Sequence, residues 1–195
     1  ASEDDPSSIR FNGAVDNTAG GPTTFDTTGN VLWTFADAYS FNGLQTFTGE
    51  QAPEAAEGED QENWVSTYVF EDDGVGFTFN DTNKFTVDIA TLQIDRSVEV
   101  EAGTQLNVTG EGRYIFNGEV TSQNNAQYVA GANSEFGFGG GFNGTGNQFF
   151  KGESVVPDTT ETFTFGDVSL ARDEAIAGSQ EASFDEVTAN INNLT

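Results

Sequence analysis

Cysteine, methionine and histidine are all absent from this chain of 195 residues, and lysine occurs only twice. Without cysteine there is no disulfide, no thiolate catalysis and no zinc–thiolate site. Without histidine, nucleophile–histidine pairs and most transition-metal sites are excluded as well. No run of residues approaches the ~20 apolar residues that span a bilayer. We therefore expect a soluble protein that is not an enzyme and does not insert into a membrane.

Basic residues of either kind are scarce, and acidic residues are abundant. The chain has 32 Asp and Glu against 6 Lys and Arg, which gives a net charge of −26. Such a surface repels itself in ordinary salt, whereas in molar salt the Debye length falls to ~3 Å and the repulsion is screened. The composition resembles the proteins of salt-loving archaea, their viruses and salt-adapted bacteria; the alternative is a merely acidic secreted protein. Nucleic acid is a poor partner, because no basic patch is present to displace counterions from phosphate.

A three-residue phrase, Phe-Asn-Gly, occurs four times, starting at Phe11, Phe41, Phe116 and Phe142. The spacings are close to one, three and one units of about 25 residues, within the range that indicates repeat architectures. The phrase therefore fits a parallel β-solenoid with rungs of this length. Its composition also resembles the Phe-, Thr-, Asn- and Gly-rich repeats of large bacterial adhesins.

Short alternating stretches bounded by turn residues support a second architecture. Val31, Trp33 and Phe35 alternate with smaller residues, and a shift in phase after Ile89 predicts a bulge or corner near Ala90. Such stretches also build an antiparallel sandwich or jelly roll. Because the middle third lacks copies of the phrase, our main prediction is an all-β sandwich or jelly roll of many short strands, with the parallel β-solenoid as the alternative.

The chain divides into three parts by composition: an acidic arm at 1–8, a β domain at 9–170 and a terminal segment at 171–195. An acidic loop at 50–62 interrupts the β domain. In the terminal segment the apolar residues fall at i, i+3, i+7 and i+10, which predicts a short amphipathic helix at 184–194. We expect the arm and this helix to hold neighbouring copies, through the contact residues Ala1, Ser2, Phe184, Val187, Ile191 and Leu194.

Candidate sites for small ligands are few. Asp72, Asp73 and Asp81 offer oxygen ligands around one turn region, so Ca²⁺ or another hard cation is the one cofactor that we consider. Four Asn-X-Thr sequons are candidates for N-glycosylation if the protein is secreted, and they start at Asn80, Asn107, Asn143 and Asn193. Because position 1 is not methionine, we expect that a leader peptide or an initiator before Ala1 was removed.

Three functions fit these features. The first is a structural subunit of an extracellular or virion assembly (a filament, shell, tail or surface layer) of a halophilic host, with copies of itself or other subunits as partners. The second is a secreted carbohydrate-binding or glycan-processing protein, in which Trp33, Trp64 or Tyr68 would stack on sugar rings beside a carboxylate pair. The third is an adhesin or receptor-binding module. We favour the first, because no local constellation of residues singles out an acid and a base.

Overall fold

The protein is a parallel β-solenoid. The computed structural model describes residues 6–50, 65–152, 161–171, 182–185 and 188–194, and it describes side chains as far as Leu170. Within these ranges no helix occurs, and all strand pairs are parallel. The strands are β1 (Ser7–Phe11), β2 (Val15–Asn17), β3 (Thr23–Phe25), β4 (Val31–Phe35), β5 (Tyr39–Phe41), β6 (Leu44–Thr48), β7 (Thr67–Phe70), β8 (Phe77–Phe79), β9 (Lys84–Asp88), β10 (Thr91–Ile94), β11 (Val98–Val100), β12 (Gln105–Thr109), β13 (Arg113–Phe116), β14 (Val120–Ser122), β15 (Ala126–Ala130), β16 (Glu135–Phe138), β17 (Phe142–Thr145), β18 (Gln148–Gly152), β19 (Thr162–Ala171), β20 (Ala182–Asp185) and β21 (Thr188–Leu194).

Each turn of the solenoid has three strands, which lie on three faces. Face 1 contains β1, β4, β7, β10, β13, β16 and the first half of β19; face 3 contains β3, β6, β9, β12, β15, β18 and β20. Face 2 contains β2, β5, β8, β11, β14, β17 and the second half of β19. Among the described residues, β1 to β18 make six turns of three strands, and β19 to β21 continue the faces beyond them. Among the described strands no pairing joins β5 to β8, so face 2 is interrupted between the second and the third turn.

A regular turn takes about 22 residues, a length typical of repeat architectures. Thr91 lies beside Arg113, and Arg113 in turn lies beside Glu135. The step from Leu32 to Thr67 is longer, because it includes the acidic segment between β6 and β7. Most of that predicted loop lies outside the described residues.

Columns of aromatic side chains form the core, since equivalent residues of successive turns stack on one another. In one column on face 1, the ring centres of Phe35 and Phe70 are 4.6 Å apart and those of Phe138 and Phe165 are 4.9 Å apart, and the rings of each pair are stacked in nearly parallel planes. The core is continuous from the second turn to β19. As far as side chains are described, the column consists of Phe11, Phe35, Phe70, Ile94, Phe116, Phe138 and Phe165.

One corner repeats an unusual backbone conformation. Ile89, Glu111 and Asn133 occupy the same point of three successive turns, and their φ angles are 48°, 65° and 52°. Each lies between a strand of face 3 and the next strand of face 1. The corner predicted near Ala90 is therefore present, and the chain makes it by placing one left-handed residue there in each of these turns.

Two predictions were wrong. The fold is a solenoid and not a jelly roll. The sequence pattern did not distinguish the two, because the alternation along each strand is the same in both folds and the strand that each strand pairs with lies a whole turn away in the sequence. The helix at 184–194 is replaced by β20 and β21, which pair with β18 and β19. Its apolar spacing arises because Phe184 and Ile191 belong to two separate strands. The first strand also begins at Ser7, two residues inside the stretch predicted as an arm.

Candidate functional site

A cluster of charged side chains lies where face 1 meets face 2, in the segment between β7 and β8. The chain turns there through two short side-chain bridges: Asp72 Oδ1 accepts from the Gly74 N–H and Asp73 Oδ1 from the Val75 N–H, both at 2.9 Å. These bonds are typical of acidic residues in tight turns, because the short side chain mimics the backbone. They fix the carboxylates in place and leave Asp73 Oδ2 for another partner.

That partner is Arg96, the largest fully buried side chain of the described residues. Its Nη1 lies 3.0 Å from Asp73 Oδ2, its Nη2 donates to the Glu71 carbonyl at 2.6 Å, and its guanidinium lies 4.8 Å from the centre of the Phe77 ring. Burial lowers the pKa of Arg96, and the Asp73 charge opposes that shift. Arg96 therefore joins the fourth turn to the third, and its charge is paired with that of Asp73 inside the protein.

The predicted cation ligands are not brought together around one point. Asp72 and Asp73 precede β8 and Asp81 follows it, and Asp73 already pairs with Arg96. In the part of the chain that the structure describes, no group of three or more acidic side chains is arranged to hold a metal ion. Binding of Ca²⁺ or another hard cation at these residues stays a prediction.

The four sequons lie in different settings. Asn80 stands at the start of the turn between β8 and β9, where its Oδ1 accepts from the N–H groups of Thr82 and Asn83. Asn107 and Asn143 are half-buried on the outer sides of β12 and β17. Asn193 lies in β21, beside Asp167 of β19. Glycosylation at these residues also stays a prediction.

The aromatic residues considered for sugar binding are involved in the core. Tyr68 is fully buried, and its hydroxyl lies 3.0 and 2.7 Å from the carbonyl oxygens of Phe25 and Thr48. Trp33 is half-buried, stacks on Tyr68 at 6.1 Å and donates its Nε1–H to Thr27. Trp64 lies outside the described residues. Neither described ring is presented as a free platform for a sugar.

Several polar side chains on the outer surface are bonded to a neighbouring turn, which the sequence did not predict. Thr48 donates to Asp26 and Thr109 donates to Asp88, both at 2.8 Å, on the outer side of face 3. Further bonds of this kind link Asn117 to Asp95, Gln123 to Glu99 and Lys151 to Gln127. Arg10 of the first turn instead reaches past the second turn to Glu71 of the third. A donor and an acceptor separated by about one turn would have been the signal, but it is visible only once the length of the turn is known.

Two buried glutamines were also missed, and they hold the corner between faces 2 and 3. The Gln148 amide donates to the Gln123 and Thr145 carbonyls at 3.1 and 3.0 Å, and its Oε1 accepts from the Ser122 hydroxyl at 2.6 Å. Gln45 holds the same corner close to the first turn, where its side-chain Nε2 lies within 3.4 Å of three backbone carbonyl oxygens. Both amides satisfy backbone groups that the corner would otherwise leave unpaired.

Three of the predicted assembly contacts lie in the last two described strands. Ala1, Ser2 and Val187 lie outside the described residues, whereas Phe184 is in β20 and Ile191 and Leu194 are in β21. At the opposite end, β1, β2 and β3 each have one described pairing partner, the equivalent strand of the second turn.

No protein-family model, curated protein sequence or solved structure matches the chain. Among the described residues, no helix is long and apolar enough to cross a membrane. The function must therefore be argued from the geometry above.

Proposed function

We propose that the protein is a non-catalytic structural subunit of an extracellular or virion assembly that operates in high salt. The observation that carries this proposal is the use of the polar side chains. Carboxylates, amides and hydroxyls that an enzyme would direct at a substrate are bonded instead to the neighbouring turn, as in the pairs Thr48–Asp26, Thr109–Asp88 and Asn117–Asp95. A stiff element with a repeated side-chain pattern is suited to regular packing of many copies.

The net charge supports the high-salt part of the proposal. At a charge of −26, copies of the chain repel one another in dilute buffer, and screening at ~1 M salt shortens the range of this repulsion to ~3 Å. Close packing of copies is then no longer opposed. The halophilic host rests on the same charge argument. The location, outside the cell or in a virion, belongs to the proposed role as a structural subunit.

The test is to purify the chain and follow its size by light scattering and electron microscopy at about 0.1 M and ~1 M salt, where the Debye length differs about threefold. We expect regular particles or filaments at the higher salt and their dissociation at the lower one. A monodisperse monomer in molar salt at every protein concentration would contradict the proposal.

A further inference from the structure

We propose that copies of this chain join head to tail, with the strands of the first turn, β1 to β3, hydrogen-bonding to the last turn of a second copy. This inference rests on the proposed function and names the interface through which the assembly grows.

The first turn presents a backbone edge to which no other described strand is paired. Ser7 donates its N–H to the Asn30 carbonyl, and the Phe11 carbonyl accepts from the Ala36 N–H, so these two residues of β1 direct their backbone groups toward the second turn. Successive residues of a strand alternate in direction. Ser8 and Arg10 therefore direct their N–H and C=O groups away from the second turn. A row of unpaired backbone N–H and C=O groups along a strand is a template for the pairing of another strand.

The same end leaves part of the core uncovered by described residues. Phe11 and Phe25 are half-buried, whereas Phe35 and Phe47, their neighbours in the second turn, are almost completely buried. Ile9 is 39 % exposed. Covering this end with apolar residues would therefore be favourable.

A second copy of the chain is the occupant that fits this end. Because all described strand pairs are parallel, the last turn runs in the same direction as the first, and another copy continues the three faces without reversal. The register also continues, since Ile191 and Leu194 of β21 pair in register with Phe165 and Val168 of β19. An apolar position of one copy would then meet the uncovered end of the next. Such a head-to-tail contact does not close on itself and produces a filament.

The experiment uses Ser8→Pro with Ser8→Ala as its matched control. Ser8 is exposed, and its N–H is directed away from β4, so proline removes an edge donor and leaves the pairing of β1 with β4 in place. At ~1 M salt we expect wild type and Ser8→Ala to form filaments and Ser8→Pro to lose filament formation. Because the last turn of Ser8→Pro is intact, adding it to wild type should shorten the wild-type filaments as its fraction rises.

A second variant, Ile9→Glu, keeps every backbone donor and places a charge on the uncovered end. Circular dichroism establishes which variants fold. If Ser8→Pro does not fold, filament formation by Ile9→Glu tests the head-to-tail interface instead. If wild type assembles and a folded edge variant assembles equally well, the head-to-tail interface is wrong while the proposed function stands. If wild type stays monomeric at every salt concentration, both proposals fail.

Discussion

The four glycines of the repeated Phe-Asn-Gly phrase have different surroundings. A Cβ added to Gly13 would meet no atom within 4 Å, whereas one added to Gly118 would lie 2.1 Å from the Arg96 carbonyl oxygen. At Gly43 the backbone is left-handed, with a φ angle of 86°. At Gly144 the nearest atoms belong to the side chains of Leu170, Gln148 and Phe142. The same three letters therefore meet different structural requirements.

Gly118→Ala should lower the free energy of unfolding by about 3 kcal/mol, because the added methyl group meets backbone that cannot move aside. Gly13→Ala is the matched control from the same phrase, and we expect it to change stability by no more than about 0.5 kcal/mol. Chemical unfolding of both variants in molar salt measures the difference. Equal effects of the two substitutions would contradict the close approach of the fourth and fifth turns at this corner.

The buried tyrosines differ in whether their hydroxyl groups have partners. Tyr128 donates to Ser122 at 2.8 Å, whereas the hydroxyl of Tyr114 has no hydrogen-bond partner among the described residues. A buried hydroxyl without a partner costs free energy. We expect Tyr114→Phe to raise the free energy of unfolding by about 1 kcal/mol and Tyr128→Phe to lower it by about the same amount. Thermal unfolding of both variants checks the opposite signs; destabilisation by Tyr114→Phe would show that its hydroxyl is satisfied.

At the scale of the strand and corner, the sequence predicted the elements better than their arrangement. The alternation of Val31, Trp33 and Phe35 and the corner near Ala90 were visible as local patterns. The solenoid was predicted only as the alternative to the jelly roll, because the four phrases do not occupy one position of the turn. Phe11 and Phe116 are in the same column of face 1, but Phe41 and Phe142 lie on face 2. Their spacing therefore suggested a turn that is longer than the regular one.

One predicted cation ligand has a partner that the sequence does not indicate. Asp72 and Asp73 are adjacent in sequence, and the partner that occupies Asp73 is Arg96, which reaches it from the next turn. No local pattern indicates that pair. The same holds for the hydrogen bonds between turns, since each joins residues 21 to 24 positions apart in the pairs Thr109–Asp88 and Gln123–Glu99.

The repeated left-handed corner gives a prediction at this scale. Asn133 is exposed and its φ angle is 52°, a conformation that asparagine and glycine tolerate and that a β-branched residue resists. Asn133→Ile should therefore lower the free energy of unfolding by about 1–2 kcal/mol. Asn133→Gly is the control for loss of the side chain and should cost no more than about 1 kcal/mol. A smaller loss for Ile than for Gly in urea unfolding would argue against a left-handed residue at this corner.

At the scale of the whole molecule, one continuous core opposes the repulsion of the acidic surface. The chain has four tyrosines, and each of them, Tyr39, Tyr68, Tyr114 and Tyr128, is a buried member of that core. Burial raises the pKa of Tyr39 to about 12 and raises the pKa values of the other three as well. The chain has only two lysines. Tyrosine is therefore the most numerous group that loses a proton between about pH 10 and the higher pH at which arginine does so.

This burial predicts how stability depends on alkaline pH. Below about pH 10 both the folded and the unfolded chain hold the phenol protons, so the tyrosines contribute no pH dependence there. Above that pH the unfolded chain releases protons that the folded chain retains, and stability falls until the folded pKa is reached. For Tyr39 alone, a shift of the pKa to about 12 corresponds to a loss of at most about 3 kcal/mol. We expect tyrosinate absorbance, recorded in molar salt as the pH rises, to appear together with the loss of β-sheet circular dichroism. Titration of any tyrosine near its ordinary pKa in a chain that keeps its β-sheet signal would contradict the burial of all four.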